Sequence, residues 1–176
     1  MKLAIGISGA SGVELGIKFV EYLPSYVEPF VALSDSAKIV QKFERDNVKI
    51  FNNSQIEASI SSGSFGVDAT AIVPCSMNTL AKIAYGISDN LVTRVAAVAL
   101  KEQKRLLLAP REMPLSAIAL ENMQKLASLG VVISPPIVGY YANIKTLEDM
   151  ERFIIGKWYD SLGIRHNLFE RWKQGS

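Results

Sequence analysis

The chain has 176 residues, 49% of them apolar, and a formal net charge of +2 from 19 basic and 17 acidic side chains. That length suits one domain with a single core, and the apolar share is too high for a disordered chain. The charges are mixed without a basic stripe, which argues against a nucleic-acid surface, and apolar runs such as residues 95–100 are too short to cross a bilayer.

The first residues run directly into a strand over 2–7 instead of a signal peptide, which points to the cytoplasm. This strand ends in Ser8-Gly9-Ala10-Ser11-Gly12, after which Leu15, Ile17, Phe19, Val20 and Leu23 give residues 13–23 helical spacing. A second strand over 28–33 stops at Ser34-Asp35-Ser36, an N-cap cluster for a predicted helix over 37–43. Residues 52–64, rich in Ser and Asn, read as a long loop of the kind that often binds ligands. The third strand, 69–73, leads through Pro74-Cys75-Ser76 into a helix over 77–84, and Asp89-Asn90 opens another over 91–101. A fourth strand follows at 105–109, then a helix over 114–129 closed by Gly130 and a fifth strand over 131–133. Beyond Pro135 and Pro136, residues 146–162 and 167–173 are predicted as terminal helices. Apolar strands each followed by a helix predict an α/β fold whose parallel sheet is covered on both faces, with ligands at the carboxyl ends of the strands.

Cys75 and His166 are the only residues of their kinds, so neither an internal disulfide nor a Cys/His zinc site can form within one chain. His166 reads as a surface histidine on a short terminal helix. Chemistry is left to carboxylates, Lys, Arg, Tyr, hydroxyls or a cofactor.

The glycine turn at 6–12 matches neither the dinucleotide fingerprint nor a Walker A loop, and a plain tight turn explains it as well as an anion site does. Hydroxyls at three predicted helix starts, Ser8 to Ser11, Ser34 to Ser36, and Ser76 with Thr79, would each serve as an N-cap. Together on one sheet edge they favour a mononucleotide-phosphate pocket. Arg111-Glu112 falls on the same edge. Arg94 and Lys101, seven apart, share a helix face that is either solvated or a phosphate clamp beside a proton-carrying carboxylate.

From Ser62 to Tyr141 the chain resembles the flavin prenyltransferase (UbiX) family, flavoproteins once described as aromatic acid decarboxylases. The resemblance rests on Ser62-Gly63-Ser64-Phe65, PCSMNTLAKIAYGISDNLVTR (74–94), LKE (100–102) and REMPLSAIALENM (111–123). The opening GISGASG and Asp160-Ser161-Leu162-Gly163-Ile164 extend it over nearly the whole chain. It implies a Rossmann-like (flavodoxin-like) three-layer sandwich and a homo-oligomer, often a dodecamer, with sites at subunit interfaces. The implied reaction joins the dimethylallyl group of dimethylallyl phosphate to N5 and then C6 of reduced FMN, without a metal. The prenylated FMN serves a UbiD-type decarboxylase.

Carried over by motif, Gly9, Ala10, Ser11, Ser34, Ser76, Met77, Asn78, Thr79 and Arg111 are implied FMN contacts. Arg94, Lys101, Tyr141 and Lys157, joined by Arg111, are implied around the substrate phosphate, Lys157 reaching in from another subunit. Glu112 matches the acid/base residue and Glu44 a second active-site carboxylate. Ser11 is also counted as catalytic, and Trp172 is implied as an aromatic closing over the substrate. Lys and Arg suit a departing phosphate, and aromatic walls suit an electron-poor allylic fragment. Two stretches depart from the family pattern: Ala119 replaces a common histidine, and Ile137-Val138-Gly139-Tyr140-Tyr141 replaces Pro-Ala-Phe-Tyr. Two rivals remain, an FMN-dependent decarboxylase of the cysteine-decarboxylase type, which uses an early histidine absent here, and a non-catalytic FMN carrier.

Overall fold

Because successive strand residues point to opposite faces, short apolar segments can feed two cores at once. In the computed structural model, which describes residues 1–9, 11–34, 43, 45–140 and 144–171, these segments form one parallel sheet. Its strands are β1 (Lys2–Ile7), β2 (Glu28–Leu33), β3 (Lys49–Asn52), β4 (Ala69–Cys75), β5 (Arg105–Pro110) and β6 (Val132–Ile133), in the order β3-β2-β1-β4-β5-β6. The helices are α1 (Val13–Glu21), α2 (Met77–Ala84), α3 (Leu91–Lys101), α4 (Ala117–Ser128) and α5 (Leu147–Leu162). Leu3, Ile5 and Ile7 pack with α1 and α5 in one buried cluster. Ala4, Phe30, Ile72 and Leu106 pack with α2, α3 and Leu126 of α4 in the other. The predicted three-layer sandwich is therefore observed, with both faces covered as a parallel sheet requires.

The chain leaves β1 towards β2 on one side and leaves β4 towards β5 on the other, so the order reverses between β1 and β4. Such a reversal opens a crevice at the carboxyl ends of the two central strands. Gly16 lets α1 lie directly against this region, since a Cβ there would meet the Val73 carbonyl oxygen at 2.4 Å.

Several boundaries differ from the sequence reading. Lys49–Asn52 is a sixth strand, where the reading leaves 49–51 unassigned and starts a loop at Asn52. It pairs only with β2 and is mostly exposed, so it lacks the apolar continuity of the inner strands. Counting only the other five gives the order 2-1-3-4-5 of flavodoxin-like sheets; β3 extends this to 3-2-1-4-5-6. The helix expected from residue 114 begins at Ala117, because the Ser116 hydroxyl accepts the Ala119 N–H (3.2 Å) and fixes the start. The predicted helix over 37–43 falls almost wholly outside the described residues.

Residues 167–171 form no helix. They run back along α5, where Phe169 stacks near Phe153 (centroids 5.2 Å apart) over Gly156, whose Cβ would stand 2.5 Å from the Phe169 ring. His166 is correspondingly no surface histidine. Its side chain is 2% exposed, its Nδ1 accepts the Leu168 N–H (3.1 Å), and its Nε2 lies 3.2 Å from Asp160 Oδ1.

Candidate functional site

Three strand ends build a cleft of about 220 Å³ at the crevice, lined by Ser8, Gly9, Ser11, Pro74, Cys75, Ser76, Met77, Arg111 and Glu112. The turn after β1 supplies Gly9, whose φ of +91° favours glycine and whose added Cβ would press on Ser76 Cβ at 3.3 Å. Gly12, at φ +83°, gives up its side-chain space to Arg111, whose Cδ would lie 3.0 Å from a Cβ there. That contact holds the Arg111 stem across the start of α1. Glu112 is exposed, and its Oε1 accepts the Met113 N–H at 3.1 Å. Cys75 is fully buried, and burial pushes its thiol well above its ordinary value, which keeps it protonated and unreactive.

Two helix starts adjoin this cleft. The Ser76 hydroxyl accepts the Thr79 N–H (3.2 Å) and donates to Thr79 Oγ1 (2.9 Å), capping α2 while the Met77 and Asn78 N–H groups have no partner among the described residues. At α1 the N-cap is Gly12, with no side-chain cap, and the Val13 and Glu14 N–H groups likewise have no partner among the described residues. Ser34 is held beside the end of β1 by its N–H bond to the Ile7 carbonyl (3.0 Å), and its buried hydroxyl has no partner among the described residues. An unpaired buried hydroxyl costs free energy unless a bound group completes it.

A second cleft of about 350 Å³ lies at the carboxyl end of β6, with Lys157 and Trp158 of α5 on one side and Ser134, Pro135, Ile137 and Val138 on the other. Trp158 Nε1 donates to the Ser134 carbonyl (2.9 Å), tying α5 to the strand end.

The residues singled out from sequence thus separate into groups. Gly9, Ser11, Ser76, Met77, Arg111 and Glu112 meet in one cleft, with Asn78 and Thr79 in the first turn of α2 and Ser34 after β2, beside the end of β1. Lys157 lies in the second cleft on the same sheet edge. Arg94 projects from the first half of α3 and donates to the Ser61 carbonyl (3.3 Å). Lys101 ends α3, pairs with Glu102 (2.6 Å), and sits at the opposite, amino edge of the sheet, so within one chain it cannot join the cleft. Ala10, Glu44, Tyr141 and Trp172 lie outside the described residues. Trp158 was not singled out because an aromatic at helical spacing reads as core, and only its place one residue after Lys157 hints at the cleft.

Residues 1–158 match the family described as Flavoprotein. A flavin prenyltransferase UbiX from Helicobacter pylori is 49% identical over 184 aligned residues, covering 98% of each chain. The chain belongs to the UbiX flavin prenyltransferase family. Among solved structures of such UbiX-like proteins, a dodecameric FMN-dependent UbiX-like decarboxylase from Escherichia coli O157:H7 superposes with a TM-score of 0.91. It is 38% identical and covers 99% of this chain and 100% of its own. AnUbiX (PadA1), in complex with FMN and dimethylallyl pyrophosphate, gives a TM-score of 0.90 at 36% identity, covering 99% of this chain and 98% of its own.

The UbiX cofactor fits the first cleft on the geometry of this chain. A glycine-lined turn admits close approach, two helix starts offer unpaired N–H groups, Ser34 has a hydroxyl to satisfy, and Arg111 adds positive charge.

Proposed function

We propose that this protein transfers the dimethylallyl group of dimethylallyl phosphate to reduced FMN, producing prenylated FMN. The observation that carries the proposal is the pairing of two recesses on one sheet edge, one lined by Gly9, Ser76 and Arg111, the other by Lys157 and Trp158. A transfer between two phosphorylated molecules needs both. Reduced FMN supplies the nucleophilic N5 and C6 atoms when bound. The protein's part is to hold the nucleotide with the turns after β1 and β4, to place cations against the leaving phosphate, and to give a proton a carboxylate to move to. Arg111 and Lys157 stabilise the charge that builds on the phosphate as the allylic C–O bond breaks. Glu112, exposed beside Arg111, takes the acid/base role.

Lys101 serves the phosphate only if a neighbouring subunit presents it, which fits a homo-oligomer with shared sites, dodecameric as in the Escherichia coli relative. Trp172, Tyr141 and Glu44 complete the proposed substrate side, and Ala10 the FMN side. The product passes to a UbiD-type decarboxylase. No helix among the described residues is long and apolar enough to cross a membrane, and we place the enzyme in the cytoplasm.

The test is anaerobic incubation with reduced FMN and either dimethylallyl phosphate or its pyrophosphate. Mass spectrometry should find flavin enlarged by one five-carbon unit with the monophosphate. Unmodified flavin with both donors intact would point instead to a carrier. Glu112→Gln should retain FMN and slow product formation about a hundredfold; unchanged turnover would remove Glu112 from the mechanism.

A further inference from the structure

Ser8 ends the ladder of β1 but is absent from the residues that motif carries into the flavin site. It is 3% exposed and makes three hydrogen bonds to the end of β4 and the N-cap of α2. Its N–H donates to the Pro74 carbonyl (3.1 Å), its hydroxyl donates to that same carbonyl (3.4 Å), and its Oγ accepts the Ser76 N–H (3.0 Å).

These bonds lie where the sheet itself no longer sets the spacing. The last registered pair between β1 and β4 is Gly6 with Ile72, and the register of β4 against β5 shifts between Ile72 and Cys75. Past that point the turn carrying Gly9 and the first turn of α2 are neighbours in space without a ladder between them. The next contact along is Gly9 against Ser76, close enough that a Cβ on Gly9 would stand 3.3 Å from Ser76 Cβ. Ser8 also decides which donors remain. By taking the Ser76 N–H it leaves the Met77 and Asn78 N–H groups as the open donors of α2.

We propose that Ser8 is a positioning residue for FMN, its buried hydroxyl setting the separation between the Gly9 turn and the start of α2. This rests on the flavin site proposed above and adds a residue that touches the nucleotide only through its neighbours. Removing the hydroxyl leaves the part-buried Ser76 N–H without its partner, and the two walls then find a new separation at the expense of their fit to the ligand.

The experiment compares Ser8→Ala and the near-isosteric Ser8→Cys with the unaltered protein. FMN affinity is read by flavin fluorescence, the surroundings of the ring by the visible spectrum of the bound flavin, and folding by thermal melting. Ser8→Ala should bind FMN about tenfold more weakly, the equivalent of one buried hydrogen bond. Its bound-flavin spectrum should shift, KM for dimethylallyl phosphate at saturating flavin should stay unchanged, and Ser8→Cys should fall between the two. If Ser8→Ala does not fold, the affinity and spectrum of Ser8→Cys decide the matter. A lowered melting temperature with FMN affinity and spectrum unchanged would make Ser8 a purely structural tie and overturn the proposal. Tight FMN binding without prenylated product in the unaltered protein would overturn the reaction assigned above and not this assignment, because the affinity is read without turnover.

Discussion

The first turns of α2 and α3 stand at the same edge of the sheet, and both are capped by a polar side chain, yet one is open and the other sealed. At α3 the Leu91 and Val92 N–H groups donate to the carbonyl and side-chain oxygens of Asn53 (2.8 and 2.9 Å), and the Thr93 N–H donates to Asn90 (3.0 Å). Every donor of that turn is spent within the chain. At α2 only Thr79 is satisfied by the cap, and Met77 and Asn78 keep theirs. The difference comes from what reaches each helix start. β4 passes straight through Ser76 into α2, whereas the connection after β3 brings Asn53 against the start of α3. A positive helix end attracts electronegative groups only where its N–H groups are unspent, so α2 can hold a ligand and α3 is a structural joint.

The largest expected effect follows from deleting one open donor. Proline is tolerated at the first position of a helix, and Ser76 already has the extended conformation a following proline requires (φ −70°, ψ 154°). Met77→Pro should therefore fold but bind FMN on the order of tenfold to a hundredfold more weakly, with Met77→Leu as the control for the side chain. Asn53→Ala, which frees the Val92 N–H of α3, should instead lower unfolding free energy in urea by about 1–3 kcal/mol and leave FMN affinity alone. An Asn53→Ala protein with impaired FMN binding would erase the distinction between the two turns.

Ser34→Ala tests the same division at a smaller scale. Its hydroxyl is buried without a partner among the described residues, so in the free protein its removal relieves a desolvation cost, and in the complex it removes a hydrogen bond. FMN affinity should fall about fivefold while the melting temperature of the flavin-free protein holds or rises slightly. A fall in both would show that Ser34 is bonded within the chain.

The contrast also explains what could be read from the residues alone. The cleft was legible because short turns such as Gly9 to Gly12 and Pro74 to Ser76 encode backbone geometry locally, and the inner strands announce themselves by continuous apolar runs. Lys49–Asn52 carries two polar residues in four and lies at the sheet edge, so nothing in its pattern separates it from the loop that follows. Lys101 and Arg94 share a helix face as expected, but an eleven-residue helix crossing the sheet takes its two ends to opposite edges. Residues 167–173 read as a helix, yet 167–171 are held irregular by His166 and Phe169 packing on α5, a tertiary contact that no local pattern reports.

That C-terminal stretch gives the smallest effect and a control for the others. Asp160 lies between His166 and Arg171, with Arg171 Nη2 2.7 Å and His166 Nε2 3.2 Å from its Oδ1. Burial alone would raise the Asp160 carboxyl, but the hydrogen bond and charge of Arg171, joined by His166, outweigh it and hold the group below the ordinary carboxylate range. A carboxyl lowered in the folded state contributes stability above its unfolded value, near about 3.9, and that contribution is lost as pH falls through the lower folded value. Asp160→Asn should therefore cost about 0.5 kcal/mol at pH 7, by urea unfolding, and the gap from the unaltered protein should close in acid below the carboxylate range. FMN affinity at pH 7 should not change, because the pair fastens the chain end to α5 and not to the turns that line the cleft. A gap that persists undiminished in acid would mean that packing around His166, and not the charge on Asp160, secures this end of the chain.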